Sequence, residues 1–358
     1  MLDLAIIPVL AAHLLLLYLA IAAPWIAIWL AWRDHCSRDT ISRAAAWRLL
    51  WQSNAALALA VLLGAAALAA LWSHRRIEYA SAIAAIPTER YWFGLAELGF
   101  YFACVCGMIA LCRRPMVRRG RFLLFTFLGL AAGSNLAYHF PPLFTILSVL
   151  TTRRDLVERA LSFTELLAQR EILARVAHHE LAAFIVGGVA LSAQALAHAK
   201  AGAAESARRL ATWGGRIAVA AAMLQMASGI WVLVAMAPGS QARLLGGDLT
   251  ATSLLGLSVL AAILHLQRLS SLALGDFRRR EIVAAMFLLT MVVVFMVATR
   301  QINRGHADLK SDPASSVRAA WRLSGGYNLL VEDEAIGRHY PPERDRIVSF
   351  GETSSGPG

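Results

Sequence analysis

The sequence predicts an all-α protein, a polytopic transmembrane bundle of about eight helices, and three observations lead there. Hydrophobic residues make up 58% of the 358-residue chain and charged residues only 16%, a balance too apolar for a soluble domain. Apolar runs of roughly 20 residues, the length that crosses a hydrocarbon core of about 30 Å, recur eight times. The net charge of +11 gathers in the short connections between those runs, so it reads as membrane topology and not as a nucleic-acid surface. The short alternating segments of a transmembrane barrel are absent.

The first run, 4–31, contains His13. It is too long, and too poor in an early basic region and a small-residue cleavage site, to be a removable signal peptide, and is expected to remain as the first helix. Further runs lie at 52–73, 92–112, 122–150 (containing Pro141 and Pro142), 178–200, 214–237, 248–271 and 282–302. The odd-numbered connections carry 16 Lys and Arg and the even ones 9. The even ones are further offset by Glu78, Glu89, Asp155, Glu158, Glu165 and Glu171. The positive-inside rule then puts the odd connections in the cytoplasm and both termini outside, as in a bacterial inner membrane. The same arginines suit anionic lipid headgroups.

Between the fourth and fifth runs, 152–176 mixes charge with Leu156, Ala160, Phe163 and Leu167. It is expected to lie on the outer surface as an amphipathic helix. Beyond a bundle of residues 1–303, the polar stretch 304–358 is rich in Gly, Pro and Ser. It is expected to form an external tail that gains order by docking on a partner.

Ionisable groups inside a membrane are costly and are functional candidates by default. At about 1.5 Å per residue, His13, Glu97, His139, His178, Arg300 and Gln301 all fall near the outer ends of their spans. Scattered structural histidines would not be expected to share a depth. Neutral imidazole is a good axial donor to haem iron. Ala182, Ala183, Gly187 and Gly188 leave room beside a porphyrin, though small residues also serve ordinary helix packing. Arg300 suits the propionate charge or snorkels to the headgroups.

Other polar residues have plainer expectations. His265, one turn before Arg268, is either a proton-path residue or a buried hydrogen-bonding group. His179 and Glu180 are expected to face interfacial water, and His35, His74, His306 and His339 to be solvated. Cys36, Cys104, Cys106 and Cys112 suggest no external disulfide framework. Cys104 and Cys106, two apart on a helix, point in different directions.

The segment HLLLLYLAIAAPWIAIWLAWRD with WRLLWQSNAALALAVLLG, the GSNLAY of the fourth run, and above all SFTELLAQREILARVAHHELAAFIVGG resemble subunit I of the cytochrome bd quinol oxidases. The resemblance is good over residues 1–200, weaker to 303 and absent beyond. It implies a high-spin haem ligand at His13 and a low-spin haem ligand at His178. It carries a GRQ-type motif to Arg300 and Gln301, and Asn54 and Asn135 to helix-packing or haem-edge positions. Glu97 matches either of the family's two acidic residues on the third helix, one belonging to the haem pair and one to the proton path.

The chain also departs from that pattern. The long loop that forms the family's quinol site is reduced to APGSQARLLGGD. No methionine stands in LTATSLLGLSVL to serve as the second ligand opposite His178, which leaves His178 to a five-coordinate haem, to a partner such as His139, or to no haem. Eight spans stand where the family has nine. The resemblance therefore implies a shortened bd-like subunit with one to three b-type haems. Such a subunit takes electrons from a c-type cytochrome or partner haem subunit and passes them to oxygen or another acceptor. The alternative is a structural subunit of a larger respiratory complex that keeps the fold and has lost haems. A transporter fits less well, because no pair of broken helices is evident.

Overall fold

The computed structural model describes residues 2–74 and 76–308, and the proposed tail lies outside this range from residue 309 onward. Twelve helices follow in order: α1 (Leu2–Ser37), α2 (Thr40–His74), α3 (Arg76–Ala84), α4 (Thr88–Cys112), α5 (Arg119–Leu150), α6 (Arg154–Glu158), α7 (Phe163–Leu167), α8 (Arg170–Lys200), α9 (Ala204–Ala235), α10 (Pro238–Ala242), α11 (Leu249–Ala273) and α12 (Arg279–Asp308). Eight of them are long and apolar enough to cross a membrane: α1, α2, α4, α5, α8, α9, α11 and α12. The protein is a multi-pass helical bundle, and no strand occurs among the described residues.

The most apolar stretches of α1 and α8 are 50% and 56% buried inside the protein, against 17–33% for the other six spans. These two helices form the centre, as expected of helices whose apolar surface runs all round. Ala20, Ile21, Ala22, Ala23, Ala27 and Leu30 of α1 are fully buried. The outer helices turn large apolar groups outward, among them Leu62, Trp92, Phe127 and Ile230, where acyl chains cover them without cost.

α8 and α9 meet backbone to backbone. A Cβ at Gly188 would lie 2.6 Å from the Gly214 carbonyl oxygen and 2.8 Å from the Ala218 nitrogen, so only glycine permits this approach. The connection between α9 and α11 is compact: α10 runs into a π-type turn, Arg243–Gly247, that closes on Gly246 at φ +119°, a conformation glycine adopts without strain. Asp248 then caps α11, accepting from Ala251 N at 3.0 Å.

The segment 152–176 is not the single amphipathic helix its pattern suggests. Ala160 turns the chain at φ +48°, and Ser162 with Glu165 forms a capping box that starts α7 afresh. From Arg170 onward the residues belong to α8. Of the apolar positions, Leu156 and Phe163 face inward with Leu166, packing on Ile146, Leu150, Ile86 and Ile172, and Leu167 is partly buried, but Ala160 is exposed. Arg153 ties the cap down through Asp155 at 2.7 Å and Glu171 at 3.2 Å. Its guanidinium holds the Asp155 carboxyl below the usual carboxylate range.

His35 is not solvated. It lies in the last turn of α1, donates from Nδ1 to the Met116 carbonyl at 2.7 Å and stacks on Phe122 with ring centroids 4.8 Å apart, so it fastens the α4–α5 connection. The side chains of His74 and His306, and all of His339, lie outside the described residues.

Candidate functional site

The register between helices fixes the depth of each candidate. Gly187 of α8 meets Ala22 and Ile26 of α1, and Tyr18 of α1 meets His179 of α8, so the two helices run parallel. Stepping back from 187 to 178 places His178 level with residues 13–17 of α1. Gly133 and Gly129 of α5 meet Trp25 and Ile28 of α1, so that pair is antiparallel. Moving from 133 to 139 places His139 level with residue 19. The three histidines therefore occupy one layer about 9 Å thick at 1.5 Å per residue. Within it they point to different neighbours.

His13 turns to α2. Its Nδ1 lies 2.7 Å from the Ala60 carbonyl oxygen; a carbonyl can only accept, so Nδ1 carries the proton and Nε2 keeps the lone pair. The ring lies on Gly64, where a Cβ would come within 2.7 Å of Cε1 and 2.9 Å of Nδ1. A backbone acceptor on one ring nitrogen with the other left basic is the arrangement that orients a metal-ligating histidine.

His178 turns to α9. Ser228 Oγ gives its proton to the Gln225 carbonyl at 3.0 Å and so accepts from His178 Nδ1 at 3.0 Å. Nε2 is again the lone-pair nitrogen, and here it accepts from the Gln225 side-chain amide at 3.1 Å. His178 thus holds the same tautomer as His13, with one flexible side chain across its donor nitrogen.

His139 turns to α4 and is 1% exposed. Its Nε2 donates to the Arg90 carbonyl at 3.1 Å, and its Nδ1 faces Glu97 Oε2 at 2.9 Å. With Nε2 already donating, Nδ1 is the ring nitrogen that faces the carboxyl, and Glu97 Oε2 is buried with no hydrogen bond of its own. Asn135 braces the pair by donating to the Glu97 carbonyl at 3.0 Å. The ring nests on Gly94, where a Cβ would lie 2.9 Å from Nε2. His139 therefore stands with Glu97, not opposite His178.

Arg300 of α12 donates to Ser148 at the end of α5 and lies in electrostatic range of Tyr18 and His179. The neighbouring Gln301 keeps its amide nitrogen buried without a hydrogen-bond partner, a situation that folded proteins avoid unless something else supplies the acceptor.

Two residues expected at the water interface are half-buried and turn polar atoms toward the bundle. His179 hydrogen-bonds through Nδ1 to the hydroxyl of Tyr18, which is 5% exposed. One carboxyl oxygen of Glu180 is buried without a partner. His265 is buried at the α11–α12 interface, 4% exposed and beside Ala285. Asn54 donates to Cys106 Sγ at 3.5 Å, while Cys104 is buried on another face of α4.

No three His, Cys, Asp or Glu side chains gather to hold a metal ion among the described residues. A haem iron asks less of a protein, one or two axial donors, and His13 and His178 have the chemistry to supply them. In comparisons with known proteins, no family model and no curated protein matches the chain.

Proposed function

We propose that this chain is the membrane subunit of a respiratory electron-transfer complex. In this reading it binds b-type haem in the histidine layer and passes electrons from an external donor, a c-type cytochrome or partner haem subunit, to oxygen or another acceptor. The observation that carries the reading is the shared tautomer: His13 and His178 both place the proton on Nδ1 against a fixed acceptor and present a basic Nε2. The resemblance of the SFTELL…AHHELAAFIVGG segment to cytochrome bd subunit I supports the same assignment. The setting is a bacterial inner membrane with the histidine layer outward and both termini external, as the arginine distribution implies.

Haem supplies one-electron chemistry when bound; the chain's own residues orient it and handle protons. His13, held by Ala60 and Gly64, would offer its Nε2 lone pair to the haem iron. His178 becomes a donor once the Gln225 amide swings away from Nε2. Arg300 supplies positive charge for propionates, and the buried Gln301 amide supplies a hydrogen-bond donor at the same level. Glu97 and the facing His139 can release or take one proton as charge in the layer changes.

The test is His13→Ala. Removing one imidazole from an apolar helix leaves insertion intact, and a reduced-minus-oxidised spectrum of the purified complex should lose one b-haem signal. Full haem content in that variant would overturn the assignment. The second reading, a structural subunit that retains the fold without its haems, is favoured by the Gln225 amide on His178 Nε2. A purified complex with no b-haem bands would establish it.

A further inference from the structure

At the arginine-rich end of the bundle, opposite the histidine layer, a broad, open surface depression of about 630 Å³ lies between the ends of three spans. Its walls come from the start of α2 (Thr40, Arg43, Trp47), the end of α4 (Cys112, Arg113) and the last turn of α8 (His198). Thr40, Cys112 and Lys200 are the end residues of their membrane spans, so the depression sits at headgroup depth.

The ionisable groups on its wall besides the Cys112 thiol are Arg43, Arg113 and His198. Two carboxylates lie nearby, and one of them is paired with the wall residue Arg43. Asp34 is buried, accepts from Met116 N at 3.0 Å and stands 3.9 Å from Arg43. Asp39 accepts from Arg209 at 2.7 Å and Ser42 at 2.8 Å. Arg48 donates to His198 Nε2 at 3.2 Å, which leaves the proton on Nδ1. Cationic and donor groups therefore line the depression. Trp47, one turn along α2 from Arg43, also lines it and forms an edge-to-face pair with Trp51, centroids 6.3 Å apart. They are 40% and 50% exposed at the level where indoles mark the membrane interface.

We infer that this depression binds the phosphate of an anionic phospholipid, with Arg43, Arg113 and His198 around the headgroup and the acyl chains descending along the Trp47–Trp51 face. The shared chemistry is a phosphate-bearing anion. The depth and the exposed indoles select a lipid over free phosphate, as in other basic pockets between transmembrane helices. This inference is independent of the electron-transfer reading, since it needs no haem.

The experiment is native mass spectrometry of the full chain in mild detergent, titrated separately with phosphatidylglycerol, phosphatidylcholine and inorganic phosphate. Phosphatidylglycerol should be retained preferentially, and Arg43→Gln/Arg113→Gln should weaken its retention by about fivefold for each arginine. Arg118→Gln/Arg119→Gln, with the same change in charge at the same end, should leave it within twofold. If Arg43→Gln unsettles Asp34 and the protein fails to assemble, Arg113→Gln alone should still give the fivefold loss. Three results would overturn the proposal: equal loss in the control pair, equal retention of phosphatidylcholine, or inorganic phosphate occupying the site and displacing the lipid.

Discussion

Replacing Gly64 by alanine separates the orientation of His13 from the stability of the bundle. The added Cβ would lie 2.7 Å from Cε1 and 2.9 Å from Nδ1 of His13, well inside the ~3.5–4.0 Å at which carbon atoms rest against each other. The ring must turn, and turning breaks its 2.7 Å bond to the Ala60 carbonyl, a net loss of about 0.5–1.5 kcal/mol. The helix gains about 0.8–1.0 kcal/mol from exchanging glycine for alanine. The two effects nearly cancel, so the thermal midpoint of the purified complex should stay close to wild type. Haem binding should not: losing the group that orients a ligating histidine typically weakens metal affinity 10–100-fold. Gly229→Ala is the matched control, because its Cβ would stand 3.6 Å from His178 Cε1, an ordinary contact. Haem titration followed by absorbance should show the loss in Gly64→Ala and not in Gly229→Ala. Wild-type haem affinity in Gly64→Ala would refute the claim that the Ala60–His13–Gly64 arrangement prepares the ligand.

Three further outcomes are expected. Gln225→Ala removes the amide that covers His178 Nε2 and should leave haem content at or above wild type; a drop would mean that Gln225 holds the site together and does not block it. Arg153 depresses the Asp155 carboxyl, so the contact is complete above the unfolded value of about 3.9 and is lost as pH falls through the lower folded value. Pepsin cleavage around Arg159–Leu161 should therefore rise below about pH 4, and Asp155→Asn should already be cleaved at the upper end of that range; identical profiles would refute the link. Cys36 is exposed at the arginine-rich end, so in intact spheroplasts a membrane-permeant maleimide should label it and an impermeant one should not, and labelling by the impermeant reagent would reverse the orientation.

What could be read from the sequence, and what could not, follows from the range of the forces involved. Spans are one-dimensional: an apolar run of sufficient length must be helical in lipid because nothing there satisfies an open backbone, and all eight runs became helices. Depth is nearly as legible, since it needs only a count of residues, and His13, His139 and His178 do share a layer. Direction within the layer is not legible, because it depends on which neighbouring helix has a gap at that height. Gly64 and Gly94 open the gaps that His13 and His139 fill, and neither glycine is distinguishable in sequence from the many small residues that let membrane helices approach.

The same reasoning decides against His139, one of the alternatives the sequence leaves open, as the partner of His178. Both stand at a suitable depth, but Gly94 and Arg90 of α4 draw His139 outward to Glu97, while Ser228 and Gln225 of α9 take His178. A ligand pair across the bundle would have required His139 to give up its hydrogen bond to Arg90 and its pairing with Glu97. Losing the neutral bond to Arg90 costs about 0.5–1.5 kcal/mol, and moving the ring away would also leave the buried Glu97 carboxyl without its one close polar neighbour. By contrast, freeing His178 Nε2 displaces one neutral amide on a flexible side chain, a loss of about 0.5–1.5 kcal/mol. The geometry separates the two: under the proposed haem reading His178 is the histidine whose donor nitrogen is covered by a single flexible side chain, while His139 is tied to α4 through Arg90 and Glu97.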